Sequence, residues 1–241
     1  MNAELNLKNV TSLEKERHEF SAGEHSVFLL DNAQLSYQGR AVLNNVSLKI
    51  TAGERVALVG KSGVGKSTLL ATLRKQLPDA LAWCPQRTGL VPMLSVYHNI
   101  YMGGLQRHNS LYNLLNLIKP QSEPLCEVTE LTAQLQLDKQ LFDRVEQLSG
   151  GQCQRVAIGR ALYQQQNVFL GDEPVSAVDD YQAEQLLQLI VERHETLVLA
   201  LHDVEMALST CDRIIGLKDG AIVLDAPSST LKVEQLAALY R

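Results

Sequence analysis

The 241 residues predict an α/β fold with helices set into it, and three features of the chain carry the prediction. Short, uniformly apolar stretches at 56–59 ("VALV"), 168–170 ("VFL") and 196–201 ("TLVLAL") have the character of sheet strands buried on both faces. A stretch with helical character follows each of them. Residues 90–147, by contrast, hold few β-branched runs and are rich in leucine at helical spacing, the pattern of a helical subdomain inserted in an α/β core.

Taken in order, residues 1–25 are polar and mixed in charge and read either as a loosely packed extension with one short strand near 5–10 or as a disordered tail. From Val27 the pattern changes. Alternation of Val46, Leu48 and Ile50 predicts a strand, "TAGE" a turn, and 56–59 a buried strand. Helices are expected at 94–103 and 131–137, and the intervening "SLYNLLNLIKPQSEP" is helical up to its proline. The core resumes with "NVFLGDEP" (167–174), a helix at 181–193, the strand at 196–201 and the helix "DVEMALSTC". A hairpin, "RIIGLKDGAIVL", turns at Asp219-Gly220, and a last helix covers 233–240.

Composition bounds the function. Hydrophobic residues at 45% and charged residues at 20% are ordinary globular usage, and the length suits one large α/β domain with a modest subdomain. A net charge of -5 without a Lys/Arg block argues against nucleic acid as the main partner. Cys84, Cys126, Cys153 and Cys211 are widely spaced with no C-x-x-C, so neither a zinc ribbon nor a disulfide framework is expected. The charged start is unlike a signal peptide and no run of 18 apolar residues occurs, so the expectation is a cytoplasmic protein, still free to dock on an integral membrane partner.

The chemistry is carried by "GKSGVGKST" (60–68), which fits G-x-x-x-x-G-K-[ST] with Gly60, Gly65, Lys66 and Ser67 at the fixed positions. A strand ending in a glycine loop that opens a helix aims backbone N–H groups and the helix dipole at one spot, where a polyphosphate can sit. Lys66 would then reach the β- and γ-phosphates and the Ser67 hydroxyl would help hold Mg²⁺. In "VFLGDEP", Asp172 stands at a strand end to support Mg²⁺, and Glu173 has the reach to orient or deprotonate the attacking water. "LSGGQ" (148–152) places Ser149 as a helix cap before two glycines, a second anion-binding helix start that one phosphate loop leaves unused. It therefore points to a nucleotide held by a second subunit. His202, after the strand at 196–201, is placed to sense a γ-phosphate, Gln86 in "CPQ" to touch Mg²⁺ or the attacking water, and Tyr37 to stack on a purine.

Together "GKSGVGKST", "CPQ", "LSGGQ", "VFLGDEP", "SAVD" (176–179) and "LHD" (201–203), in that order, resemble the ATP-binding subunits of ATP-binding cassette (ABC) transporters from about residue 28 onward. The resemblance implies a P-loop NTPase core of ABC type over 26–241, with its helical subdomain at about 90–150 and the extension at 1–25. It implies ATP and Mg²⁺ as cofactors. Gly60, Lys61, Ser62, Gly63, Val64, Gly65, Lys66, Ser67 and Thr68 would be the phosphate loop, and Ser149, Gly150, Gly151 and Gln152 the signature that contacts ATP on the opposite subunit. Asp172 would support the metal together with Ser67 and Gln86, Glu173 would be the catalytic base, Asp179 the acidic residue of the inter-subunit loop, His202 the switch histidine and Tyr37 the adenine-stacking aromatic. The partners implied are a second copy through an ATP sandwich, a membrane permease and a substrate-binding protein, at the cytoplasmic face of the membrane. Within the family, 90–100, 201–227 and the terminal "LAALY" look most like the subunits that power bacterial phosphonate import.

The pattern breaks in places. Only 20 positions separate Lys66 from Gln86, too few for the antiparallel strand pair that family members usually insert there, so a reduced antiparallel layer is expected. Gly171, Cys153 and Val178 replace the usual alanine, glutamine and leucine, and Cys153 beside a helix start reads chiefly as a packing residue, with a lowered, oxidisable thiol as the alternative. Apolar residues in 90–101 are expected to line a groove for a permease helix. The competing readings are a soluble ABC-type ATPase acting on nucleic acid or ribosomes, and a nucleotide-sensing module without turnover.

Overall fold

The computed structural model describes residues 26–240, so the strand expected near 5–10 lies outside the described residues. Two compact units divide the chain, one of the described residues up to Pro78 together with those from Ala200 on, the other of Asp79–Leu199.

In the first unit, β1 (Ser26–Tyr37) and β2 (Arg40–Thr51) form a two-stranded antiparallel sheet. β2 keeps the expected alternation, with Val46, Leu48 and Ile50 buried and Ser47 and Lys49 exposed. The sequence pattern does not mark β1, because its inward series Phe28 and Leu30 is interrupted. Asn32, with φ of 43°, accompanies a register shift between Leu30 and Ala33, and inward facing resumes only at Leu35. β3 (Arg55–Val59) is buried from Val56 on and feeds α1 (Lys66–Gln76) through the glycine loop.

No residue between α1 and the next strand, β4 (Ala82–Cys84), is in a strand, which leaves the two-stranded layer as the expected reduced one. In the second unit, α2 (Val96–Tyr101) runs into a 3₁₀ turn, Met102–Arg107, and is followed by α3 (Ser110–Ile118) and α4 (Ser122–Gln134). α4 thus begins well before the helix expected at 131–137. Pro124 sits in its first turn, where a missing N–H leaves no hydrogen bond unmade, and Gln136 with φ of 54° ends the helix early.

α3 is inside out. Its buried Asn116 accepts the Tyr97 hydroxyl at 2.8 Å and the Gln121 N–H at 2.8 Å, and Asn113 accepts the Tyr101 hydroxyl at 2.6 Å. Leu111, Leu114, Leu115, Leu117 and Ile118 remain 48–77% exposed. The 90–101 stretch, expected to line a groove, is mostly core instead: Val96, Tyr97, Ile100 and Tyr101 are buried, while Met93 is exposed and Leu94 half-buried.

α5 (Gly150–Leu162), β5 (Val168–Asp172), α6 (Asp180–Arg193) and all but the last residue of β6 (Thr196–Ala200) complete this unit. β4 pairs parallel with β5, Cys84 opposite Gly171, and β6 flanks β5 on its other side. Both β5 and β6 are buried throughout, as strands covered on two faces are.

The first unit closes with α7 (Val204–Thr210), β7 (Arg213–Lys218), β8 (Ala221–Pro227) and α8 (Val233–Ala237), which ends in a 3₁₀ turn, Ala238–Tyr240. β7 runs parallel to β3 and antiparallel to β8. The β7–β8 turn is the expected one: Asp219 and Gly220, with φ of 50° and 77°, match a two-residue type I′ turn. The chain end is anchored on β7, where a Cβ on Gly216 would lie 2.8 Å from Leu239 Cδ1.

Candidate functional site

The phosphate loop is built on glycines in a backbone conformation that other residues rarely adopt. Gly60, Gly63 and Gly65 have φ of 141°, 80° and 118°. A Cβ on Gly60 would strike the Leu217 carbonyl oxygen, and one on Gly65 would lie 2.8 Å from Leu43 Cγ. Gly65 caps α1 with no side-chain hydrogen bond, so the first-turn N–H groups of α1 are left to a ligand or water. Lys66 is buried, and its Nζ donates to the carbonyls of Gly60 at 2.7 Å and Lys61 at 3.1 Å. That places the ammonium inside the loop. Lys61, Ser62, Gly63 and Ser67 are exposed around it, and Val64 and Thr68 are half-buried.

His202, exposed just past β6, touches the loop through Tyr240, which closes "LAALY" and to which the sequence assigns no role. The Tyr240 hydroxyl accepts the Gly60 N–H at 3.3 Å and donates to the His202 carbonyl at 3.3 Å. One chain-terminal side chain thus joins the start of the phosphate loop to the histidine backbone. Tyr37 ends β1 at the tip of the β1–β2 hairpin, opposite Arg40 and 58% exposed, with its ring available for stacking.

In the second unit the structure brings Gln86 and Glu173 together across 87 residues of sequence: the Gln86 Nε2 donates to Glu173 Oε2 at 3.0 Å. β4 delivers Gln86 and β5 delivers Glu173, so the parallel β4–β5 pairing sets this contact. Asp172 closes β5 and is buried. Glu173 follows with φ of 53°, a left-handed backbone uncommon for a non-glycine residue.

α5 begins with a full capping box. Ser149 Oγ accepts the Gln152 N–H at 3.3 Å, and Gln152 Oε1 accepts the Ser149 N–H at 2.9 Å. Gly150 and Gly151 make the first turn, and a Cβ on Gly151 would come within 3.0 Å of the Ala177 carbonyl oxygen. Asp179 has a local duty that its sequence position does not reveal, since its Oδ1 accepts the Gln182 N–H at 3.0 Å and caps α6.

Two further α5 residues escape the sequence reading. Gln154 bonds the 173–177 backbone, and Arg160 donates to the carbonyls of Thr88 and, at 2.9 Å, Gly89. No motif marks either, because the partners lie on other elements. Cys153 accords with its packing role and not with the alternative of a lowered pKa: burial pushes its thiol up, and the Sγ donates to the Val145 carbonyl at 3.7 Å. Cys84, fully buried beside this site, is pushed up to about 12 by the same cause. Neither thiol is poised for reaction.

The chain matches the ABC transporter family model at residues 43–80 and 72–176. It is 39% identical to the phosphonates import ATP-binding protein PhnC of Pseudomonas entomophila, over 88% of this chain and 90% of that protein, and 38% identical to PhnC of Pseudomonas putida over 88% of each. A dimeric structure of a bacterial ABC transporter cassette superposes with a TM-score of 0.71 at 28% identity, covering 83% of this chain and 98% of the other. A post-hydrolysis dimeric cassette bound to ADP and Pi superposes with a TM-score of 0.68 at 27% identity, over 83% and 98%. The phosphate loop, the Gln86–Glu173 pair and the capped signature helix accord with these matches, and the chain belongs to the ABC transporter family.

Proposed function

We propose that this chain is the ATP-hydrolysing subunit of a transporter, that two copies enclose two ATP molecules, and that their opening and closing drives phosphonate import through a membrane permease. The observation that carries the reading is the Gln86–Glu173 hydrogen bond at 3.0 Å, which joins the expected metal-and-water glutamine to the expected base. In this reading the backbone N–H groups of 60–66 and the Lys66 ammonium hold the β- and γ-phosphates, and Tyr37 stacks on adenine. Ser67, Asp172 and Gln86 contribute hydroxyl, carboxylate and amide oxygens, a hard donor set that fits Mg²⁺. When bound, Mg²⁺ neutralises charge on the phosphate oxygens.

Glu173 takes a proton from water as its oxygen bonds to the γ-phosphorus. The bond from that phosphorus to the bridging oxygen breaks, and its electron pair leaves with ADP. His202 contacts the γ-phosphate, while Ser149, Gly150, Gly151 and Gln152 of one copy, with Asp179 beside them, close over the ATP of the other.

None of the described helices is long and apolar enough to cross a membrane. The permease and a substrate-binding protein supply passage and selectivity, and the chain works from the cytoplasmic face. Phosphonate as cargo rests on the PhnC names of the relatives. Purified chain with Mg²⁺-ATP should release phosphate, and Lys66→Ala should lower that rate by about a hundredfold or more. Cells whose phosphonate uptake depends on this chain should lose methylphosphonate growth with the same variant. Turnover without any effect on methylphosphonate growth would reject the cargo, and absence of turnover in the permease complex would reject the ATPase reading.

A further inference from the structure

Glu173 owes its position to more than its own strand. The carbonyl of Glu173 accepts three hydrogen bonds: from Gln154 Nε2 at 2.9 Å, from Ser176 Oγ at 3.1 Å and from the Ser176 N–H at 3.4 Å. Gln154 is 6% exposed, and its amide is used on both sides. Nε2 also reaches Ser176 Oγ at 3.2 Å, and Oε1 accepts the Ala177 N–H at 2.6 Å. A single amide therefore spans the chain from 173 to 177 and closes the turn in which Glu173 holds φ of 53°. The carboxylate leaves that backbone toward Gln86, its partner at 3.0 Å.

We infer that Gln154 is a positioning residue for hydrolysis: it fixes the backbone of Glu173, and through it the direction of the carboxylate, from the helix that begins with the signature. The inference rests on Glu173 being the base. Gln154 touches neither nucleotide nor metal in this account. α5 carries Ser149–Gln152 at its start, and Gly151 is packed against Ala177 closely enough that a Cβ would meet its carbonyl oxygen at 3.0 Å. Any movement of α5 as its N-terminus engages an anion is thus transmitted to the 173–177 turn by two contacts, one backbone and one amide. Arg160 does not share this role, because its bonds go to Thr88 and Gly89.

The test is steady-state ATPase kinetics on the full chain, comparing wild type, Glu173→Gln, Gln154→Met and Gln154→Glu. Methionine keeps the length and packing and removes all three amide hydrogen bonds, whereas glutamate keeps an acceptor for the Ala177 N–H and loses the donor to the Glu173 carbonyl. The expected result is a kcat at least about tenfold lower in Gln154→Met with KM for ATP within about twofold of wild type, and a loss at least as large in Gln154→Glu, which sets a carboxylate oxygen against the Glu173 carbonyl. Unchanged kcat in Gln154→Met overturns the inference. So does a parallel collapse of kcat, ATP binding and melting temperature in both variants, which would make Gln154 structural only. If Glu173→Gln hydrolyses like wild type, the base assignment fails, and the Gln154 inference falls with it for a separately visible reason.

Discussion

Gly60 has contacts on every side of its backbone. Its N–H goes to Tyr240, its carbonyl accepts Lys66 Nζ, and the space a side chain would take is filled by the Leu217 carbonyl oxygen. With φ of 141° as well, alanine there must displace the loop or the β7 backbone. Gly60→Ala should lose about 2 kcal/mol or more in denaturant unfolding and weaken ATP binding, whereas Gly63→Ala, with open space around its Cβ, should show only the smaller penalty of its positive φ. Equal losses in both variants would contradict this account of the loop. At this scale the phosphate loop is legible in the sequence because its glycines act within nine residues. Gln154 and Tyr240 are not, since each acts on backbone atoms 19 to 180 residues away and no local pattern assigns either side chain that role.

Among elements, α3 departs furthest from what its composition suggests. A leucine-rich helix reads as core, yet here the asparagines face inward and bind Tyr97 and Tyr101, and the aliphatic side faces out. Exposed Leu111 and Ile118 should then be replaceable together by glutamine with a change in melting temperature of no more than about 2 °C. Asn116→Leu should lose about 2 kcal/mol, because it strips partners from a buried tyrosine hydroxyl and a backbone N–H. Thermal and denaturant unfolding of the two variants check the pair, and the reverse order of effects would contradict the described orientation. β1 and α4 differ from expectation for other reasons. A bulge at Asn32 hides the strand's alternation, and a proline tolerated in a first turn looks like a terminator. The largely apolar β3, β5 and β6 and the Asp219-Gly220 hairpin follow the sequence because burial on two faces and turn chemistry are locally encoded.

At the scale of the whole molecule, the described residues hold a phosphate loop and a capped signature helix, each a glycine-rich helix start of the kind that suits an anion. A single copy needs only the first. In the proposed assembly, two copies satisfy both, each signature closing over the other's ATP, and hydrolysis by Glu173 releases the pair. The order of the motifs along the chain makes this arrangement legible in the sequence, although no single element encodes it. The most direct test is size-exclusion chromatography with mass determination on Glu173→Gln in Mg²⁺-ATP, beside wild type and beside Glu173→Gln carrying Ser149→Arg. Glu173→Gln is expected to run at twice the monomer mass only when ATP is present, and the added signature substitution to return it to monomer. An ATP-bound Glu173→Gln protein that stays monomeric at high concentration, or a dimer indifferent to Ser149→Arg, would contradict the two-site sandwich.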